Sequence, residues 1–335
     1  MKTAVFSTKP YDKAFLRAAN ANEHLKFEFY EERLNHHTAA LAQGHAAICA
    51  FVNDTLTAHV LDILHGHGVR FIALRCAGFN QVDLRHAATL GIKVARVPAY
   101  SPYAVAEFAL ALILALNRKT HRAYNRIRDG NFSIDGLLGF DLHSSTIGII
   151  GTGKIGVVFA TILGGFGVKI LGYDPLPHPA FTAAGGTYVE RDELFARSDI
   201  ISLHCPLTPE TFHIISEENI ERMKKGVMII NTSRGALADT KAIIRGLKSE
   251  HIGYLGLDVY EQEADVFYEN LSETIIQDDV LQRLISFPNV LVTSHQAYFT
   301  ETALRNIAET TIANLIACKE EAPLKNEVTV GMLHH

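Results

Sequence analysis

Apolar residues follow two different periodicities along the chain. Short apolar runs, too short to form helices, recur between longer amphipathic stretches with helical spacing, such as 56–64, 82–90 and 155–166. The runs predict strands over residues 3–7, 46–51, 71–75 and 93–97 in the first part of the chain, and over 146–150, 169–173, 200–204, 227–231, 253–259 and 290–293 in the second. Strands that alternate with helices on this scale are typical of parallel, doubly wound α/β sheets, so we expect that fold class.

The chain is long enough for two such sheets. It has 335 residues, whereas ~150 is usual for one domain. A first boundary falls at the segment Pro98-Ala99-Tyr100-Ser101-Pro102, after which the pattern predicts one helix from residue 103 to about 128. A second boundary follows His295, where the last strand gives way to a terminal helix over roughly 301–319.

Charge and cysteine usage narrow the possible functions. Lys and Arg number 31 and Asp and Glu number 36, a formal net charge of −5, which argues against nucleic-acid binding through a broad basic face. The longest uninterrupted apolar stretch, 108–116, is shorter than the ~20 residues that cross a bilayer, and no secretory signal is visible. The four cysteines show no CxxC spacing, which argues against a zinc ribbon or a disulfide scaffold. We therefore expect a cytoplasmic protein without a metal site.

A glycine-rich sequence follows the strand predicted over 146–150. Gly151-Thr152-Gly153-Lys154-Ile155-Gly156 matches the GxGxxG pattern and leads into a helical stretch. In that context the three glycines serve a tight turn, close approach of a pyrophosphate and helix packing, and the helix N-terminus offers N–H groups to the phosphates. Asp174 follows the next strand and can accept hydrogen bonds from ribose hydroxyls. Because no arginine follows it in Pro175-Leu176-Pro177, the pattern favours NAD over NADP.

Polar residues also follow the other predicted strands, at the carboxyl ends where open α/β sheets bind ligands. Hydride transfer at a carbinol carbon needs a cation for a substrate anion, an acid/base near neutral pH and a carboxylate that orients that base. Arg234, His295 and Glu263 can fill these roles. Spacing alone does not decide between His204 and His295 as the base. It does not decide either whether Glu263 or Asp258 holds the imidazole.

Five motifs in this order carry a resemblance to a known family. They are Gly151-Thr152-Gly153-Lys154-Ile155-Gly156, Leu203-His204-Cys205-Pro206-Leu207-Thr208, Asn231-Thr232-Ser233-Arg234-Gly235-Ala236-Leu237, Leu257-Asp258-Val259-Tyr260-Glu261 and Thr293-Ser294-His295-Gln296-Ala297. Together they resemble the D-isomer-specific 2-hydroxyacid dehydrogenases, over nearly the whole chain. Two further motifs are similar to those of the bacterial fermentative D-lactate dehydrogenases in this family, namely Arg75-Cys76-Ala77-Gly78-Phe79-Asn80 and Val97-Pro98-Ala99-Tyr100-Ser101-Pro102.

The resemblance implies a role for each of these residues. His295 would donate the proton to pyruvate, Glu263 would pair with it, and Arg234 would hold the carboxylate, with Asp258 near the nicotinamide and His295. The glycine-rich pattern and the resemblance together give these cofactor contacts: Gly151, Gly153, Lys154, Ile155, Gly156, Asp174, Cys205, Pro206, Thr211, Thr232, Ser233, Arg234 and Asp258. Thr211 stands where related enzymes often carry asparagine, so it departs from the family pattern. The substrate contacts implied from the other domain are the main chain of Ala77 and Gly78 for the carboxylate, and Tyr100 and Phe299 beside the methyl group.

The resemblance also implies an architecture and a reaction. A Rossmann NAD domain over residues 100–297 would be inserted in a discontinuous, flavodoxin-like substrate domain formed by 1–99 and 298–335. We expect NAD-dependent reduction of pyruvate to D-lactate, carried out by a homo-oligomer, dimer or tetramer, joined through the cofactor domain. One alternative is a relative that acts on a larger or more polar 2-keto acid. The other is an NADH-sensing interaction protein, against which the full catalytic set argues.

Overall fold

The computed structural model describes residues 1–22, 24–263 and 266–334. The chain divides into two compact units, one formed by Met1–Ser101 with Phe299–His335 and the other by Pro102–Tyr298. Each unit contains one sheet, and every paired strand runs parallel to its neighbour. The expected fold class, two doubly wound parallel α/β sheets, is confirmed.

Strands and helices follow one another along the described chain. The strands are β1 (Lys2–Val5), β2 (Lys26–Phe29), β3 (Ala47–Ala50), β4 (Phe71–Leu74), β5 (Lys93–Ala95), β6 (Thr146–Ile150), β7 (Lys169–Tyr173), β8 (Gly186–Tyr188), β9 (Ile200–Leu203), β10 (Val227–Asn231), β11 (Ile252–Leu257) and β12 (Val290–Val292). The α-helices are α1 (Pro10–Ala19), α2 (Ala58–Gly66), α3 (Leu84–Thr89), α4 (Pro102–Arg118), α5 (Thr120–Arg128), α6 (Lys154–Gly164), α7 (Pro179–Ala183), α8 (Arg191–Arg197), α9 (Glu217–Arg222), α10 (Thr240–Lys248), α11 (Asp279–Ile285) and α12 (Glu301–Lys319).

The sheet of the first unit has the strand order β2-β1-β3-β4-β5. All residues of β3 and β4 are buried, as expected of uninterrupted apolar strands that helices cover on both faces. Helix α12 packs against α1 and β4, so that Ile312 and Leu315 share one apolar core with Leu16. The strand order is that of flavodoxin-like sheets, in which loops at the carboxyl ends of the strands bind ligands.

The sheet of the second unit has the order β12-β11-β10-β9-β6-β7-β8. Six of these strands reproduce the order of dinucleotide-binding sheets, and β12 extends the sheet by one strand. The strand order reverses between β6 and β9, which pair with Ile150 beside Leu203. Ligands bind at such a reversal, beyond the carboxyl ends of the strands. The glycine-rich sequence after β6 and the His204-Cys205 pair after β9 lie at this point.

The helix expected over residues 103–128 is broken, contrary to the prediction. Helix α4 ends at Arg118 and α5 begins at Thr120, because Lys119 between them has a left-handed backbone with a φ of 50°. Two edge strands, β2 and β8, are absent from the expected set, because their sequences, Lys26-Phe27-Glu28-Phe29 and Gly186-Thr187-Tyr188, contain no continuous apolar run. Within the described ranges, no helix is both long and apolar enough to cross a membrane.

Candidate active site

The glycine-rich turn between β6 and α6 is shaped by contacts that exclude side chains. Gly151 has a φ of 95°, and a Cβ there would lie 2.4 Å from the Cys205 nitrogen. A Cβ on Gly156 would lie 2.2 Å from the Gly151 oxygen, whereas one on Gly153 would meet no atom within 4 Å. The first and third glycines therefore permit tight packing, and the second leaves open space at the N-terminus of α6. Its first-turn residues Lys154 and Ile155 present N–H groups that suit a pyrophosphate.

Asp174 lies next to this turn, one residue after β7. Its carboxylate accepts the Thr152 N–H at 2.7 Å and the Leu176 N–H at 2.9 Å. These bonds fix the side chain, and each oxygen keeps a second lone pair for a ribose hydroxyl. The position and the remaining acceptor capacity therefore fit the adenosine ribose of NAD.

The ends of β9 and β10 are joined by a hydrogen bond from Ser233 Oγ to the Cys205 carbonyl at 2.6 Å. Beside Ser233, the hydroxyl of Thr232 is buried and has no hydrogen-bond partner within the described chain. A buried polar atom without a partner is costly, so a ligand that supplies one fits this position. Burial raises the pKa of the Cys205 thiol to about 12, which keeps it protonated and excludes it as a nucleophile.

The loop after β9 uses the Thr211 hydroxyl internally. That oxygen donates to the Pro206 carbonyl at 2.7 Å and accepts the Thr208 N–H at 2.8 Å. These bonds stabilise the loop that begins at Pro206. Contacts of Pro206 and Thr211 with the cofactor stay predictions.

His295 and Glu263 form a close pair after β12 and β11. Nδ1 of His295 lies 2.7 Å from Oε1 of Glu263, and the other carboxylate oxygen accepts the Tyr260 N–H at 2.9 Å. The two side chains are 17% and 18% exposed. Because Nδ1 is held by the carboxylate, Nε2 is the ring nitrogen that can exchange a proton with a substrate. The geometry identifies Glu263 as the carboxylate that holds the imidazole.

Asp258 instead anchors the turn that carries His295. One oxygen accepts the Thr293 hydroxyl at 2.6 Å and the Gln296 N–H at 2.8 Å, and the other accepts the Ala297 N–H at 2.7 Å. The His295 N–H donates to the Asp258 carbonyl at 2.7 Å. Burial raises the pKa of the Asp258 carboxyl, against the opposing effect of these donors. The bonds hold His295 in a left-handed conformation, with a φ of 55°, that a non-glycine residue adopts only when its surroundings impose it.

His204, the other histidine at a strand end, has a different environment. Its Nε2 lies 2.9 Å from the Ser202 hydroxyl, and its ring packs against Phe159 with 5.0 Å between ring centroids. Burial lowers the pKa of His204 to about 3, so the imidazole is neutral at physiological pH and cannot serve as a proton donor. Of the two histidines that spacing left open, the structure therefore favours His295 for acid/base work.

Arg234 lies in the loop after β10, the strand that pairs with β11. Its main-chain oxygen accepts a hydrogen bond from Asn231 Nδ2 at 2.8 Å, and its guanidinium donates to the Ser233 carbonyl at 2.6 Å. Within the described chain, no carboxylate forms an ion pair with it. A Cβ on the next residue, Gly235, would lie 2.2 Å from the Tyr260 oxygen, so this turn is packed tightly against the loop that leads to Glu263. Arg234 is thus a fixed, half-buried cation that can bind an anion.

Tyr268 supports the site but no sequence motif indicates it. Its hydroxyl donates to the His295 carbonyl at 2.9 Å, and its backbone has a φ of 68°. The residue lies in irregular chain after β11, where neither periodicity nor spacing carries a signal. The sequence also did not indicate the hydrogen bond from the Thr293 hydroxyl to Asp258, and the only available signal is that Thr293 lies two residues before His295.

The candidate substrate residues of the first unit lie in three segments. Ala77 and Gly78 follow β4, Tyr100 follows β5, and Phe299 precedes α12. The Tyr100 carbonyl accepts Asn306 Nδ2 at 2.6 Å, and the Phe299 ring meets Tyr11 edge-on at 4.8 Å. Their contacts with substrate stay predictions. Among the described residues, no group of three or more His, Cys, Asp or Glu side chains could hold a metal ion.

Comparisons with known proteins identify the family of this chain. A family model described as D-isomer specific 2-hydroxyacid dehydrogenase, NAD binding domain, matches residues 110–297. The chain is 52% identical over 328 residues to D-lactate dehydrogenase of Escherichia coli (strain K12), and the match covers 98% of this chain and 100% of that relative. The apo structure of D-lactate dehydrogenase from Escherichia coli matches with a TM-score of 0.90 and 50% identity, over 98% of this chain and 100% of that one.

A second solved structure, the pyruvate reductase of Chlamydomonas reinhardtii, matches with a TM-score of 0.92 and 46% identity, over 97% of this chain and 98% of that one. These identities extend over both units, and the family model falls within the second. The second unit is therefore an NAD-binding domain. The chain belongs to the D-isomer specific 2-hydroxyacid dehydrogenase family of NAD-dependent oxidoreductases.

Proposed function

We propose that the protein is an NAD-dependent D-lactate dehydrogenase that reduces pyruvate to D-lactate with NADH. The observation that carries the proposal is the 2.7 Å pair of His295 and Glu263 in an NAD-binding unit. Arg234, which has no ion-pair partner in the described chain, follows the neighbouring strand. A proton donor and an anion-binding cation are the two groups that reduction of a 2-keto acid requires from a protein.

In the proposed reaction, Arg234 binds the substrate carboxylate through its forked donors. The N–H groups of Ala77 and Gly78 bind the same carboxylate. The protonated His295 donates from Nε2 to the keto oxygen as the alcohol forms, and Glu263 stabilises the protonated ring until then. Asp258 fixes the turn on which His295 is held, so that the ring keeps one orientation.

The cofactor residues act separately from these groups. When bound, NADH supplies the hydride that reduces the keto carbon. The open space at Gly153 and the N-terminus of α6 would bind the pyrophosphate, with Lys154 and Ile155 in that first turn. Asp174 would bind the ribose hydroxyls and repel the 2′-phosphate of NADPH. The unpartnered hydroxyl of Thr232 would accept or donate a hydrogen bond at the nicotinamide end.

Pyruvate is preferred over larger keto acids in this proposal. Tyr100 and Phe299 are expected beside the substrate methyl group, where two aromatic rings leave room for a small side chain. Relatives named D-lactate dehydrogenase, and a structural neighbour named pyruvate reductase, support the same preference. The stereochemistry of the product rests on those relatives.

The proposal is tested by following NADH oxidation with a panel of 2-keto acids, with chiral analysis of the product. We expect pyruvate to give the highest kcat/KM and the product to be the D-isomer. Preference for hydroxypyruvate or a branched-chain acid would overturn the lactate assignment. If the protein reduces none of these keto acids, the proposal that it is an enzyme would be overturned, and an NADH-sensing interaction protein would be favoured.

We also propose that the protein is a homo-oligomer joined through the second unit. Large apolar side chains are exposed on α5 and in the segment after it, among them Ile127, Phe132, Ile134 and Leu138, which are 52%, 75%, 81% and 87% exposed. Exposed apolar side chains clustered in one segment are typical of a protein interface. Sedimentation velocity should give the mass of a dimer or tetramer, and a monomeric mass at micromolar concentration would contradict the proposal.

A further inference from the structure

Arg96 is a cation in the first unit for which no described carboxylate is a partner. It follows β5, and its Nη1 donates to the Ala77 carbonyl at 2.9 Å. Its guanidinium also lies over the Phe79 ring, 5.0 Å from the centroid. Burial lowers the pKa of Arg96, and no ion pair in the described chain compensates that burial. A half-buried guanidinium without a carboxylate is unusual, because desolvation of its charge is unfavourable.

The main chain of Arg96 is held on both sides. Its N–H donates to the Asn326 carbonyl at 3.0 Å, and its own carbonyl accepts Asn314 Nδ2 at 3.0 Å. Asn314 is a buried residue of α12, and its side-chain oxygen accepts Asn326 Nδ2 at 2.9 Å. These three bonds fix the origin of the Arg96 side chain, so the guanidinium is directed at the loop after β4.

In that loop, residues 76–79, each of the four carbonyls is engaged by the protein, and that of Phe79 accepts the Val82 N–H at 3.1 Å. The Cys76 carbonyl accepts the Val97 N–H at 3.1 Å, and the Ala77 carbonyl accepts Arg96. The Gly78 carbonyl accepts Cys76 Sγ at 3.3 Å. By contrast, the N–H groups of Ala77 and Gly78 have no acceptor within the described chain.

Peptide planarity links these two facts. In a trans peptide the carbonyl of one residue and the N–H of the next point in opposite directions, and the chain contains no cis bond among the described residues. Fixing the Ala77 carbonyl against Arg96 therefore directs the Gly78 N–H away from Arg96. In the same way, fixing the Cys76 carbonyl against the Val97 N–H directs the Ala77 N–H away from Val97. The loop offers two oriented donors that the fold leaves unused.

We propose that Arg96 is a positioning residue for the substrate carboxylate, an inference that rests on the proposed function of the Ala77 and Gly78 amides. Arg96 fixes the Ala77–Gly78 peptide so that its N–H is ready to bind a carboxylate before the substrate arrives. The uncompensated positive charge beside that peptide strengthens the attraction for an anion. Arg96 therefore supports the binding of the substrate and acts neither on cofactor binding nor on hydride transfer.

The test compares Arg96→Met, which keeps the unbranched stem but removes the charge and the donors, with Arg96→Lys, which keeps the charge. Arg70→Met is the matched control, because Arg70 of the same unit also donates to main-chain carbonyls, those of His65 at 3.0 Å and Val69 at 2.8 Å. The measurements are KM and kcat for pyruvate, the Kd for NADH, and the Kd for oxamate, a non-reducible isostere of pyruvate, on the NADH complex. Thermal unfolding verifies that each variant is folded.

We expect Arg96→Met to raise the KM for pyruvate and the Kd for oxamate roughly 10- to 150-fold, the worth of a hydrogen bond from a charged donor. The kcat and the Kd for NADH should change less than about threefold, Arg96→Lys should recover part of the loss, and Arg70→Met should leave all four constants unchanged. An unchanged oxamate Kd in folded Arg96→Met and Arg96→Lys proteins would overturn the proposal, as would an equal loss of NADH binding.

Failure of the proposed function gives a different result. An unaltered protein that binds oxamate but reduces no keto acid would refute the dehydrogenase activity, while the oxamate comparison would still decide the role of Arg96. An unaltered NADH complex that binds no oxamate would overturn both proposals.

Discussion

Replacing Glu263 by Gln should slow pyruvate reduction without weakening NADH binding. Glu263 contacts Nδ1 of His295 at 2.7 Å through one oxygen and the Tyr260 N–H at 2.9 Å through the other. Gln has the same length and can keep one of these contacts, but it removes the negative charge that stabilises a protonated imidazole. Because the reaction consumes the protonated imidazole, the variant must form that species at a higher free energy.

The size of the loss follows from the kind of bond and its burial. A hydrogen bond to a charged group contributes about 1.5–3 kcal/mol, which corresponds to a loss of roughly 10- to 150-fold in kcat/KM. We expect the upper part of that range, because His295 and Glu263 are only 17% and 18% exposed and water screens the pair weakly.

The assay is steady-state NADH oxidation with pyruvate near neutral pH. Glu261→Gln is the matched control, because Glu261 forms a second Glu–His pair of the same length, 2.7 Å to Nε2 of His213, in the same loop. Because that pair, with side chains 27% and 25% exposed, does not include His295, its loss should lower kcat/KM less than about fivefold. Equal losses of kcat/KM in the two variants would refute the reasoning.

Other residues of the site give equally direct expectations. His204→Gln should keep kcat/KM within about fivefold, whereas His295→Gln should lose about a thousandfold or more, because only His295 donates a proton; similar losses in kinetic assays of both would contradict the assignment. The pKa of His204 is lowered to about 3, below ~6.5 in the unfolded chain, so its contribution to stability is complete above about pH 6.5 and is lost as the pH falls toward 3. Urea unfolding should therefore show that the free energy of unfolding falls by up to about 1.4 kcal/mol for each unit by which the pH is lowered in this range. His204→Gln should remove this contribution, and an identical pH dependence in the two proteins would contradict the prediction. Asp174→Ala should weaken NADH binding about tenfold and reduce the preference for NADH over NADPH, both measured by fluorescence titration. An unchanged cofactor preference would argue against the contact between Asp174 and the ribose.

Much of the second unit could be predicted because its strands are buried on both faces. The expected strands at 146–150, 169–173 and 227–231 match β6, β7 and β10 to the residue, since a continuous apolar run ends where the chain leaves the core. The edge strands β2 and β8 lack that signal. The break between α4 and α5 could not be predicted either, because a left-handed Lys119 depends on packing and not on a glycine or proline in the sequence.

The candidate site could be predicted as a set of residues but not as a set of contacts. Strand order brings the ends of β10, β11 and β12 side by side, so Arg234, Glu263 and His295 were expected to lie at one edge. Tyr268 and Arg96 could not be assigned a role in this way. Each acts on a main-chain carbonyl, and a side chain that meets a carbonyl leaves no pattern in the sequence.

Burial explains why the two carboxylates after β11 have different tasks. Asp258 is fully buried one residue beyond the strand, and its short side chain reaches only the adjacent turn, where a hydroxyl and two N–H groups occupy its oxygens. Glu263 lies further out and is partly exposed, so its longer side chain can meet Tyr260 and still contact the imidazole. A carboxylate whose oxygens accept three donors is suited to hold a backbone, and one that keeps an oxygen for the imidazole is suited to hold a ring that changes its charge. Sequence spacing does not distinguish the two residues. Their different burial does: the buried Asp258 anchors the turn of His295, and the partly exposed Glu263 is the electrostatic partner of its imidazole.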